Sequence, residues 1–223
     1  ILMLQAQSTL HGAVSIVNAI ATGKGATLGI SLKTKAIVKI SPGSGVSIES
    51  RNKTISSRLI NRVVQKVIPK SELEKFKVEI ELESDIPTGY GLKSSSAISS
   101  AVSLACAKLF RPKWTDKQIL HAGVDASIES RVSITGAYDD ACGCYYGGFA
   151  VTDNYKRKII KLEKGPKNLV AVIFIPKSRK RGNVKNLKNL RPIFEQAWEL
   201  ARNSDYWNAM ILNGLATSTI LNS

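Results

Sequence analysis

Cysteine and histidine are scarce in this 223-residue chain: Cys106, Cys142 and Cys144 are the only thiols, and His11 and His121 the only imidazoles. An odd set of three excludes a fully paired disulfide framework. The Cys142-x-Cys144 pair lacks the further Cys or nearby His that would complete a zinc site, so buried free thiols are expected. Long apolar runs are also missing. The longest, Leu169 to Ile175, falls far short of the roughly 20 residues that span a bilayer, and no charged segment followed by an apolar one opens the chain. No internal repeat appears, which argues against a solenoid. These absences point to a soluble, cytoplasmic protein with no membrane partner.

Acidic residues are in short supply as well. There are 17 Asp+Glu against 32 Lys+Arg, a formal charge of +15, while 43% of residues are hydrophobic and 22% charged. The composition is that of a globular chain with enough apolar material for a core, organised as one full-sized domain or two small ones. A basic excess of this size signals an anionic partner: nucleic acid, a membrane surface or a phosphorylated small molecule. Composition does not choose among them.

Along the chain, Gly12–Ile20, Ala26–Leu32 and Ala36–Ile40 read as strands rich in Val, Ile and small residues, punctuated by the turn-forming clusters Thr22-Gly23-Lys24-Gly25 and Ser41-Pro42-Gly43-Ser44-Gly45. Leu59, Ile60, Val63, Val64 and Val67 recur at helical spacing within Ser57–Ile68. Phe76, Val78, Ile80 and Leu82 alternate with charged residues, the pattern of a half-buried strand. Ser84–Ser96 reads as a loop and Ala97–Phe110 as a buried helix. Thr115 is placed to cap a helix running to about Glu129. Further strands are expected at Phe149–Thr152, Lys158–Leu162 and Leu169–Ile175, with helix from about Asn186.

The stretch most informative about chemistry is Pro87-Thr88-Gly89-Tyr90-Gly91-Leu92-Lys93-Ser94-Ser95-Ser96-Ala97, between an expected strand and an expected helix. Phosphates bind at such places, because glycines admit an anion close to the backbone and the helix start offers unpaired N–H groups at the positive end of its dipole. Three serines add hydroxyls that can donate to phosphate oxygens or ligate magnesium. The spacing is neither a Walker A loop, which needs Gly directly before Lys-Ser, nor a dinucleotide fingerprint, which needs Gly at Ser94. An ordinary Ser-capped helix after a Gly turn would account for a shorter match.

The eleven residues resemble the central motif of the GHMP kinases, Pro-x-x-x-Gly-Leu-x-Ser-Ser-x-Ala. The usual family loop reads Gly-Leu-Gly-Ser-Ser-Ala; this chain has Lys93 in place of the last Gly and Ser96 in place of the first Ala. Gly-Leu-Lys-Ser-Ser-Ser-Ala is similar to the archaeal shikimate kinase branch. So are Ser15–Ala26 near the start and Thr135-Gly136-Ala137-Tyr138-Asp139-Asp140-Ala141. The resemblance implies an α+β, two-domain GHMP-kinase fold, with a mixed-sheet N-terminal domain over residues 1–155 and a ferredoxin-like C-terminal domain over residues 156–223. It also implies ATP and Mg2+ as cofactors and phosphorylation of the 3-hydroxyl of shikimate, with homoserine and mevalonate as alternative acceptors within the family.

Phosphoryl transfer needs an in-line acceptor hydroxyl, cationic stabilisation of the phosphates and a carboxylate to take the proton. Residues 132–152 hold no Lys or Arg, so Asp139 and Asp140 lack a local partner and are candidate catalytic acids. The resemblance gives the base role to Asp139, with Asp140 the second choice. By the same resemblance residues 87–97 hold the nucleotide, Ser95 and Glu129 approach magnesium, and Asn18, Thr22 and Lys24 border the substrate. Two competing readings are a GHMP-fold protein that binds without phosphorylating, and a nucleic-acid-binding protein. The second rests on Lys177, Arg179, Lys180, Arg181, Lys185, Lys188 and Arg191, although no aromatic side chains are interleaved there to stack bases. The chain also carries no third Gly-rich motif near its C-terminus, so the C-terminal domain is expected to be truncated.

Overall fold

The computed structural model describes residues 4–50, 55–175 and 184–221. In chain order the elements are β1 (Leu4–Val17), β2 (Lys24–Pro42), β3 (Val46–Ser50), α1 (Ser57–Val67), α2 (Lys70–Leu73), β4 (Phe76–Ser84), α3 (Ser94–Phe110), α4 (Asp116–Glu129), α5 (Tyr138–Tyr146), β5 (Phe149–Asp153) and β6 (Lys158–Glu163). A 3-10 helix (Val184–Leu190), α6 (Arg191–Arg202) and α7 (Tyr206–Leu221) follow.

Everything is hung on β2. The polar stretch Lys33-Thr34-Lys35 does not split it into the two strands expected from sequence, because its period-2 alternation continues and Thr34, fully buried, shares a 2.7 Å hydrogen bond with Ser84. One edge of β2 pairs along its length with β1; the other edge pairs antiparallel with β5 through Lys24–Leu28 and with β4 through Thr34–Pro42. The six-stranded sheet thus runs β3-β4-β2-β5-β6 with β1 alongside β2, and only the β3–β4 pair is parallel. The architecture is the expected α+β with a mixed sheet.

The apolar faces of α1, α3 and α4 pack with Val38, Ile40, Val78, Ile80 and Leu82 into the largest core. α3 is buried nearly all round, which its run of Ser and Ala allows by letting neighbouring backbones approach closely. A second core joins Ile16, Val17, Phe149 and Val151 to Trp198, Tyr206 and Ala209 of α6 and α7. The three cysteines are free and buried, as expected. The β5–β6 hairpin continues the sheet across the domain division expected at residue 155, and the described residues beyond Glu163 hold helix and no strand.

The structure adds one element and removes another. Residues 138–146, to which the sequence reading gives no element, form α5. Leu169–Ile175, read as a strand, joins no ladder, and Val170, Val172 and Phe174 are each more than 80% exposed. High β propensity makes a strand only where a neighbouring edge accepts its hydrogen bonds, and none of the described strands pairs with this segment.

Thr115 caps α4 as expected, accepting from the Gln118 N–H, while the Gln118 side chain accepts from the Thr115 N–H in a closed capping box. Thr115→Ala should lower unfolding free energy by about 1 kcal/mol, measured by urea titration.

Candidate active site

Two helix starts and the β1–β2 connection enclose a cavity of about 200 Å³. Its lining includes Ser15, Asn18, Lys93, Thr135, Asp139 and Asp140. A register shift at His11/Gly12 in β1 lets the 87–97 loop dock on that strand, where the Ala13 N–H donates to the Leu92 carbonyl at 3.3 Å. Three residues of the loop take left-handed backbone in alternation: Gly89 (φ 88°), Gly91 (φ 77°) and Lys93 (φ 65°). Thr88–Gly91 are exposed, Pro87 is half-buried and Leu92 is buried beneath them. Lys93 stands at the N-cap of α3 without making a side-chain cap, so its side chain satisfies none of the helix's first N–H groups. Ser94 and Ser96 are buried, Ser94 within 3.4 Å of the Thr88 hydroxyl, and Ala97 is fully buried. The half-buried Ser95 hydroxyl has no side-chain partner among the described residues. Uncapped N–H groups, left-handed turns and a hydroxyl at one helix start form a cradle for anions.

The acids lie opposite, in the first turn of α5, whose N-cap Ala137 is also left-handed (φ 50°). Asp139 is 3% exposed and is held at three points. Its N–H donates to Asn154 Oδ1 (3.0 Å), its carbonyl accepts from the Thr27 hydroxyl (2.9 Å), and its Oδ1 accepts from Asn154 Nδ2 (2.7 Å). Asn154 is itself buried, with Oδ1 also accepting from the Thr152 hydroxyl. Burial, reinforced by the charge of Asp140, pushes the Asp139 carboxyl up to about 7, with Lys93 and Asn154 working against the rise. Asp140 faces the Lys93 ammonium at 3.0 Å. The pair therefore has a basic partner, supplied by the 87–97 loop rather than by its own neighbourhood in sequence.

The three positions expected to border the substrate separate. Asn18 lines the cavity, with Oδ1 accepting from the Ile20 N–H and its own N–H donating to Asn213 Oδ1. Thr22 is buried and bonded to the Lys24 backbone, and the Lys24 ammonium lies 4.9 Å from the centre of the Trp198 ring. Neither Thr22 nor Lys24 is among the cavity-lining residues. Glu129 is turned to an ion pair with Lys66 on α1 and is also outside the cavity lining. Among the described residues no cluster of three His, Cys, Asp or Glu side chains could hold a metal ion by itself. The Ser95 hydroxyl suits a magnesium ion carried in on phosphate oxygens, whereas Glu129 fits only on releasing Lys66. The densest basic stretch, from Lys177 to Arg181, lies outside the described residues.

Sequence reasoning missed Asn154 and Gly25. Nothing marks an Asn after a short strand as an anchor. Gly25 falls inside the first motif, yet its role shows only in space: a Cβ there would stand 2.2 Å from Asp139 Oδ2 and 2.6 Å from its Cγ.

Residues 58–148 match the profile of the GHMP kinases N terminal domain. The fold is shared with solved members: a mevalonate kinase from Methanococcus jannaschii has a TM-score of 0.69 at 15% identity over 98% of this chain and 79% of its own. A homoserine kinase from Cytophaga hutchinsonii has a TM-score of 0.63 at 18% identity over 95% and 71%. The chain belongs to the GHMP kinase family. Within it, the chain is 39% identical over 222 residues to a shikimate kinase of Pyrococcus abyssi, covering 94% of this chain and 78% of that one. A shikimate kinase of Methanosarcina mazei is likewise 39% identical, over 216 residues, 95% of this chain and 73% of that one. No described helix is long and apolar enough to cross a membrane.

Gly25→Ala should force the Asp139 carboxylate out of its place. We expect kcat to fall about 100-fold, the size of effect a 1 Å misplacement produces, with a cooperative unfolding transition retained by circular dichroism.

Proposed function

We propose that the protein transfers the γ-phosphoryl group of ATP to the 3-hydroxyl of shikimate. The observation that carries this reading is the convergence, on one cavity, of an uncapped phosphate-loop helix start and a buried carboxylate titrating near neutrality. The choice of acceptor is supported by 33–40% identity to archaeal shikimate kinases over most of the chain.

The nucleotide phosphates meet the first-turn N–H groups of α3 and the left-handed backbone at Gly89 and Gly91, where the helix dipole favours negative charge. Magnesium bound to the nucleotide supplies further neutralisation, and Ser95 is the residue that would ligate it. Asn18 offers a polar contact to the hydroxyls of the ring. Asp139 accepts the proton of the attacking hydroxyl as the new bond from substrate oxygen to γ-phosphorus forms. The bond from that phosphorus to the bridging oxygen breaks, and its electron pair leaves on ADP.

ADP should form from MgATP when shikimate is supplied. Faster turnover of homoserine or mevalonate would move the protein elsewhere in the family. Asp139→Asn should cut kcat by about 10²- to 10⁴-fold, with nucleotide affinity by calorimetry little changed. The working form of Asp139 is the ionised one, so kcat should fall as pH drops through about 7, an acid limb read from a pH–rate profile.

A further inference from the structure

Lys93 occupies a costly conformation. Left-handed backbone (φ 65°, ψ 30°) burdens a side-chain-bearing residue by about 1–2 kcal/mol relative to the right-handed form, and glycine would adopt it freely. The side chain placed there does not reach into solvent, where a phosphate-binding lysine would wait. Its side chain is only 16% exposed, and its ammonium lies 3.0 Å from Asp140 Oδ1, beside Asp139. Among the described residues lining the cavity, Lys93 is the cation and Asp139 and Asp140 are the anions.

We propose that Lys93 is a positioning residue for phosphoryl transfer: from the N-cap of the phosphate-loop helix it supplies the counter-charge that keeps Asp139 in its proton-accepting form. The proposal rests on Asp139 being the base.

The groups facing Asp139 leave the task to Lys93. On α5 it meets Asp140, whose charge opposes ionisation, and the thiols of Cys142 and Cys144, which burial pushes well up and holds neutral. β2 presents Gly25 and Thr27, and the turn after β5 presents Asn154, all uncharged. Among the described residues facing Asp139, only α3 brings a cation. The Lys93 ammonium is held inside the cavity by the 3.0 Å pair with Asp140, both side chains only 16% exposed, and there its charge acts on both carboxylates. Without that charge, two adjacent carboxylates would share a buried site with no cation, and one would hold a proton at neutral pH. The arrangement ties the base to the loop that receives the nucleotide.

Lys93→Gly separates charge from backbone, because the φ of 65° suits glycine and the fold should be at least as stable. The tests are pH–rate profiles at saturating MgATP and shikimate for wild type, Lys93→Gly, Lys93→Gln and Lys93→Arg, with carbon-13 NMR titration of the Asp139 carboxyl in the free proteins. We expect the acid limb and the carboxyl titration to move up by a pH unit or more in Gly and Gln, a loss of at least about tenfold in kcat below the shifted limb. Activity should recover at higher pH, and Arg should keep the wild-type limb. An unmoved limb and carboxyl titration in Lys93→Gly overturns the proposal, whether kcat is preserved or only the KM for ATP rises. Turnover that survives in Asp139→Asn instead overturns the base assignment, and this role with it.

Discussion

Two helix N-termini face each other across a small cavity, and the Lys93–Asp140 ion pair joins them. α3 starts at Lys93 and α5 at Ala137, both left-handed and both without a side-chain cap. The two starts have opposite fates. The first turn of α3 contains no acid and no side-chain cap, so none of its N–H groups is taken by a capping side chain. The first turn of α5 carries Asp139 and Asp140, favourably placed for the helix dipole yet removed from water. One helix start is left uncapped, and the other holds charge inside the protein.

Close approach of backbone fixes the second arrangement. Cβ atoms at Gly143 and Gly29 would meet Thr27 Oγ1 at 2.3 Å and the Gly147 Cα at 2.8 Å. α5 therefore lies against β2 at a distance that larger residues would forbid. That contact lets the Thr27 hydroxyl reach the Asp139 carbonyl, and it places the Asp139 carboxylate over the bare face of Gly25. Asn154 completes the hold from the far side, its own N–H anchored on the Gly23 carbonyl at 2.7 Å. Asp139 is thus positioned by β2, by the turn after β5 and by its own helix.

Local pattern made much of this legible in advance. The 3.6-residue spacing of α1, the alternation of β4 and the Thr115 cap are properties of short windows, and the structure agrees with each. The 87–97 loop was legible because glycines, serines and a following small-residue helix are contiguous. What could not be read is what long-range contact decides. The absence of Lys and Arg from residues 132–152 was real but misleading, since the cation comes from Lys93 in another motif. α5 is short, with Gly143 in its interior, and weak intrinsic propensity hid it until the packing against β2 supplied the stabilisation. Lys24 and Glu129 had plausible chemistry by position in a motif, but their heads turn to Trp198 and Lys66. Leu169–Ile175 shows the reverse failure, a sequence fit for a strand that pairs with no described strand.

The burial of Asp139 also links the proton to folding. Its carboxyl holds a proton more tightly in the folded chain, at about 7, than the ordinary value of 3.8 for an aspartate in the unfolded one. Between those values the folded state binds more protons, so this group's contribution to stability is full at acid pH and is lost as pH rises toward 7. The ionised carboxylate, the form proposed to take the substrate proton, then belongs to the less stable form of the fold. Thermal resistance and chemical competence pull on the same proton in opposite directions.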